Sequence, residues 1–154
     1  MKPLVLLFVV FFAGAAVAKL WTGDWAWRFN GNLALCVMLF LTALGHFRFS
    51  KGMMMMIPAI IPYKREIVMV TGLFEIALGF CLLFPAIRTA AGVVVIAMLV
   101  LMLPANISAA RRRVNYQTAT YDGPGPAYLW FRLPMQALLI AWVLWFSVLQ
   151  QGSF

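Results

Sequence analysis

The sequence predicts an all-α integral membrane protein, a helical bundle, and three observations lead there. Hydrophobic residues make up 65% of the 154 and charged residues only 10%, where an ordinary soluble domain carries about 25% charged. The apolar residues gather into five runs, each near the roughly 20 residues that a helix needs to cross a hydrocarbon core about 30 Å thick. The basic residues stand between those runs, where they act as orientation signals. A net charge of +8 on a soluble chain would suggest nucleic acid; distributed this way it points to the lipid bilayer as the first partner, and nucleic-acid binding is not expected.

The first run, residues 3–20, follows Met1-Lys2 and ends near Ala16-Val17-Ala18. It reads either as a retained transmembrane helix or as a secretory signal with an A-x-A cleavage site. The helix is the expected reading, so residues 1–31 form an N-terminal span and an outer loop holding Trp21, Trp25 and Trp27. The second run covers residues 32–47 and the third residues 66–83. Arg65 and Arg88 bracket the third, 23 residues apart, so a helix rising about 1.5 Å per residue would place them about 34 Å from each other. The fourth run covers residues 89–105 and the fifth residues 129–149. Residues 32–149 therefore read as a four-helix membrane domain, and 150–154 as a polar tail.

Placing the N-terminus inside puts nine basic residues (Lys2, Arg48, Lys51, Lys64, Arg65, Arg111, Arg112, Arg113 and Arg132) on one side and three (Lys19, Arg28 and Arg88) on the other. The positive-inside rule assigns the richer side to the cytoplasm of an inner, cytoplasmic membrane. Five spans then leave the C-terminus outside.

The third run holds an anomaly, Val70-Thr71-Gly72-Leu73-Phe74-Glu75-Ile76-Ala77-Leu78-Gly79, with one carboxylate amid apolar residues. At 100° per residue, Val68, Gly72, Glu75, Gly79, Leu82 and Ala86 fall on one stripe. Glycines there admit a close neighbour, and ionisable residues in membranes face a bundle interior or a water-filled cavity. Glu75 is therefore expected inside the protein, either paired, hydrated or protonated. The topology collects four polar residues toward the same end: His46, Asn106, Arg132 and Gln136, the last two sharing a face at i and i+4. The helical rise puts Glu75 about 15 Å below the end of its own span, deeper than His46. Arg132, with the longer reach, is the expected partner for its charge. The set is either a polar clasp tying helices together or a pocket for a small molecule, a quinone head group or a proton.

Cys36 and Cys81 fall near matching depths, which opens a thiol pair, but Cys81 lies about 120° around the helix from Glu75. Met53 to Met56 adjoin Pro58 and Pro62 and read as a flexible apolar segment at the interface rather than a copper site. No metal site is expected. Arg111-Arg112-Arg113 marks a membrane boundary and attracts anionic lipid at about 1 kcal/mol per residue. The turn-rich Tyr121-Asp122-Gly123-Pro124-Gly125-Pro126 is placed to fold back over the mouth of the pocket.

Gly45-His46-Phe47, the Met run leading to Ile57-Pro58 and Ile61-Pro62, Thr71-Gly72 with Glu75, Leu83-Phe84-Pro85 with Arg88, Leu103-Pro104-Ala105-Asn106-Ile107 and Arg132-Leu133-Pro134-Met135-Gln136 together resemble the DoxX-like family over about residues 32–149. The resemblance implies a four-helix membrane core, to which the N-terminal span is an addition. It also implies an accessory role in a redox or quinone-linked membrane system, with His46, Glu75, Asn106, Arg132 and Gln136 as the matched motif positions.

The leading functional expectation is a small accessory subunit whose polar pocket binds a quinone-like or lipid-like small ligand, with a membrane or redox protein as partner. An assembly factor or chaperone for other membrane proteins is one alternative. A proton-coupled transporter of a small solute is another; at this length it would have to work as a homo-oligomer. The chain has no haem axial pair, iron–sulfur cysteine spacing, nucleotide loop or HExxH motif. It therefore carries no intrinsic cofactor signature, and a self-sufficient enzyme is not expected.

Overall fold

The computed structural model describes residues 2–149; the polar tail expected at 150–154 lies outside them. The described residues form seven α-helices: α1 (Lys2–Thr22), α2 (Trp27–Arg48), α3 (Ser50–Met56), α4 (Lys64–Cys81), α5 (Pro85–Leu101), α6 (Leu103–Arg111) and α7 (Ala127–Val143). A π-helical segment, Leu144–Leu149, extends α7. Prolines punctuate the chain as their missing N–H requires. Pro85 opens α5 in the first turn, and Pro104, in the first turn of α6, separates that helix from α5 without ending the rod.

Four segments are long and apolar enough to cross a membrane: Pro3–Thr22, Trp27–Arg48, the joined α5–α6 stretch Pro85–Arg111, and Ala127–Leu149. The second begins five residues earlier than its apolar run, taking in Trp27 and Arg28, and the Pro85–Arg111 rod extends past both ends of the expected 89–105. α4, expected as a span over 66–83, is not among the four. It has 18 residues and carries Lys64, Arg65, Glu66 and Glu75.

The helices alternate in direction. α2 packs against α1 on one side and α4 on the other, α4 meets α5, and α5 pairs with α7 and its π extension. The core between them holds Leu7 and Phe11 of α1, Leu35 and Leu39 of α2, Leu78 of α4, Val95 of α5, and Leu139 and Val143 of α7. Many large apolar side chains face outward, among them Phe12, Val70, Leu73, Val93 and Trp130, as in a bundle whose solvent is lipid rather than water. Alternation also brings the end of α2, the start of α4, the α5–α6 junction and the start of α7 to one end of the molecule, where α3 and the 112–126 loop cap it.

Candidate functional site

The stripe expected on the third apolar run is the buried face of α4: Val68, Gly72, Glu75, Leu78 and Gly79. It packs on α2 at close range. A methyl group on Gly72 would stand 2.8 Å from the Cβ of His46, and one on Gly79 would stand 3.4 Å from the Cys36 sulfur. Close approach of the two backbones lets short side chains meet. His46 Nε2 lies 3.3 Å from Glu75 Oε1, and the Thr42 hydroxyl reaches Glu75 Oε2 at 2.8 Å. Glu75 is 4% exposed, so these two partners replace the water it has lost.

On the other side of the imidazole, Nδ1 faces the Val68 carbonyl at 3.0 Å. A carbonyl only accepts, so that contact is made when Nδ1 carries the hydrogen. The Thr71 hydroxyl, 3.2 Å from Nδ1, completes the cluster while also facing the Ile67 and Val68 carbonyls. Thr42 was not singled out from the sequence, and Thr71 only within the Thr71-Gly72 motif. Each precedes an ionisable residue by four, Thr42 before His46 and Thr71 before Glu75, and so shares its helical face.

Arg132 does not meet Glu75, contrary to the expectation from reach. Its Nη1 donates to Asn106 Oδ1, and its guanidinium lies 5.2 Å from the centre of the Tyr128 ring. The depth argument measured Glu75 along α4 alone. The glycine seam seats α2 close enough that His46 reaches Glu75 directly. Gln136 is buried and likewise stays apart from the pair; its amide donates to the Leu99 carbonyl beside the α5–α6 junction. The helix is interrupted there, between α5 and α6, and a side-chain donor from α7 reaches a carbonyl of its last turn.

The two polar groups open onto one cavity of about 390 Å³, lined by His46 and Thr71 on one side and Asn106 and Arg132 on another. The remaining wall is almost wholly apolar, with Met53, Met56, Ile57, Val68, Met98 and Met102 prominent. The methionine run, expected as an apolar segment at the interface, lies in helix α3. Met56 is buried, and Gly52 passes so close to the 112–126 loop that a Cβ would lie 1.9 Å from the Tyr116 carbonyl oxygen. Arg112 holds the end of α3 by donating to the Met55 and Ile57 carbonyls. The loop does fold back over this end, but Tyr116 rather than Tyr121 lines the cavity; Tyr121 is exposed.

Cys36 and Cys81 are both free thiols. Cys36 is buried against Gly79, and Cys81, two residues further along α4, points about 200° away from that contact. A second polar cluster, not foreseen, closes the opposite end. Asn32, fully buried, donates to the Arg28 and Phe146 carbonyls at 2.8 and 2.9 Å and accepts from Ser147 at 2.7 Å. Arg88 is also buried and donates to the Leu82 and Leu83 carbonyls, capping the C-terminal end of α4. These groups are satisfied within the protein, and their position in the π-helical end of α7 and the start of α2 is structural.

Residues 35–147 match the model of a protein family described as a domain of unknown function, DUF8561. The match runs from α2 through the π-helical segment and so contains every residue of the cavity. No curated protein and no solved structure match the chain.

Proposed function

The chain belongs to the DUF8561 family of unknown function, and we propose that it is a small accessory membrane protein whose cavity binds a small amphipathic ligand with a quinone-like head group. The observation that carries this reading is the convergence of His46, Thr71, Asn106 and Arg132 on one cavity whose other walls are apolar. A few placed polar groups in an apolar pocket of 300–1,000 Å³ is the usual form of a small-molecule site. A quinone carbonyl would accept from Arg132 or Asn106, while the ring would lie against the methionines, whose thioethers adapt to flat apolar partners. His46, on the wall, stands 3.3 Å from Glu75, and in this reading the two serve as proton donor and acceptor for the ligand. In this reading electrons belong to the ligand or to a redox partner protein, consistent with the DoxX-like resemblance.

The same reading takes α4 as a fifth span and the assembly as a four-helix core, α2, α4, α5–α6 and α7, with α1 added. Support comes from α4's antiparallel packing between α2 and α5: its 18 residues rise about 27 Å, close to a hydrocarbon core. With the N-terminus in the cytoplasm of the inner membrane, the cavity faces the cytoplasmic side. Impermeant thiol labelling of single cysteines placed at Tyr63 and Phe84 tests this, since five spans put the two positions on opposite sides of the membrane. Ligand binding is tested by titrating a short-chain benzoquinone into the purified protein and reading thermal stability. Wild type should be stabilised, and Ala105→Phe, which fills the cavity, should not respond.

A further inference from the structure

The charges around the cavity say more about its ligand than its shape does. No Asp or Glu side chain lines it among the described residues. Among the described residues, the carboxylate in contact with a lining residue is that of Glu75, and it is already engaged by His46 and Thr42. Arg132 is therefore the cation of the wall. Its partners, the Asn106 amide oxygen and the face of the Tyr128 ring, carry no net charge. A cation on an apolar wall in a membrane without a counter-charge is costly. Arg112 donates to the Met55 and Ile57 carbonyls, and Lys64 to that of Ile57, a residue of the cavity wall, again without a carboxylate. The rim is also open to the outside surface. Leu101, Ile61 and Ile67 line the cavity and are 77%, 37% and 37% exposed, so the apolar wall continues onto the outer face of the bundle.

We infer that the cavity takes an amphiphile with a single anionic oxyacid head, carboxylate or phosphate, on one apolar chain that reaches it from the surrounding lipid. The head supplies the counter-charge that Arg132 lacks, and its oxygens accept from guanidinium N–H groups that face the cavity. The chain lies against the methionines and leaves past Leu101. This rests on reading the cavity as a site for a small amphipathic ligand and assigns that ligand an anionic head in place of a quinone.

The test uses the full chain in a neutral detergent at mildly alkaline pH, with dodecanoate, dodecyl phosphate, dodecanol and decyl-benzoquinone as probes. Binding is followed by calorimetry. The two anions should bind about tenfold to a hundredfold more tightly than the alcohol of the same chain, as one charge-assisted hydrogen-bonded contact provides. Arg132→Gln should erase that preference, and Arg132→Lys should keep part of it. Asn106→Asp, which places a carboxylate against Arg132 without removing the cation, should also erase it, giving a second variant should Arg132→Gln fold poorly. A diacyl phosphatidylglycerol that outcompetes the single-chain anions would identify the source as a bilayer lipid head group and support the same anion chemistry. Equal binding of anion and alcohol overturns the inference. Binding of the benzoquinone alone, indifferent to Arg132→Gln, overturns it while leaving the cavity a ligand site, and binding of none of the probes defeats both.

Discussion

His46 Nε2 and Glu75 Oε1 stand 3.3 Å apart across the α2–α4 seam, and the seam is close there because Gly72 lies under the His46 Cβ. The contact resolves the problem of a carboxylate in an apolar helix. His46 on one carboxylate oxygen and Thr42 on the other offset the cost of burying Glu75.

Because the two side chains act as one unit, their losses should not add. Glu75→Gln and His46→Gln are each expected to lower stability in detergent by about 1–3 kcal/mol. The double variant should lose less than the sum, with a coupling of about 0.5–3 kcal/mol in a thermal or denaturant double-mutant cycle. Strictly additive losses would mean that the two residues stabilise the helices independently.

The seam itself makes a graded prediction. A methyl on Gly72 would meet His46 Cβ at 2.8 Å, whereas one on Gly79 would meet the Cys36 sulfur at an ordinary 3.4 Å. Gly72→Ala should cost about 1–3 kcal/mol through overpacking and loosen the His46 contact. Gly79→Ala should be close to neutral. Equal melting temperatures for the two variants would show that the seam has no such gradient.

The cover of the cavity depends on α3 meeting the 112–126 loop. Gly52 leaves no room for a side chain against the Tyr116 backbone, and Arg112 donates to the α3 carbonyls. Gly52→Ala and Arg112→Gln should both raise amide hydrogen exchange across residues 112–126 while leaving α7 protected. Unchanged exchange in both variants would show that neither contact holds the loop.

Within that loop, the Thr120 hydroxyl donates to Asp122 and holds its carboxyl below the usual carboxylate range. The folded value is depressed, so the order this contact gives the loop is present at neutral pH and is lost as pH falls through that value. Thr120→Ala should move the Asp122 midpoint upward in a carboxyl NMR titration. A midpoint that stays in place would assign the depression to another contact.

The buried face of α4 was legible because it depends on a single helix: 100° periodicity alone places Val68, Gly72, Glu75 and Gly79 together, and the same helix buries them. Pairings between helices were less legible. Arg132 was expected on Glu75 because reach was counted from one helix's end, whereas α2–α4 spacing is set by Gly72, and that spacing decides which side chain arrives. Gln136 was grouped with the site by its i, i+4 relation to Arg132, yet it donates to the backbone at Leu99, in the last turn of α5. The Asn32–Ser147 cluster gave a faint signal, a lone amide in an apolar run, and its partner lies 115 residues away. The cavity was not legible in any one segment, since its wall is assembled from α2, α4, α5, α6 and α7, from α3, and from the 57–63 and 112–126 connections.

The central claim is that the cavity holds a small amphipathic molecule. Native mass spectrometry of the protein released from mild detergent tests it most directly, comparing wild type with Ala105→Phe and with Ile61→Trp at the rim. The account predicts a bound small molecule of one defined mass on the wild type, absent or sharply reduced in both cavity-filling variants while they remain folded. A wild-type spectrum without adducts, or an adduct retained at full intensity when the cavity is filled, would contradict it.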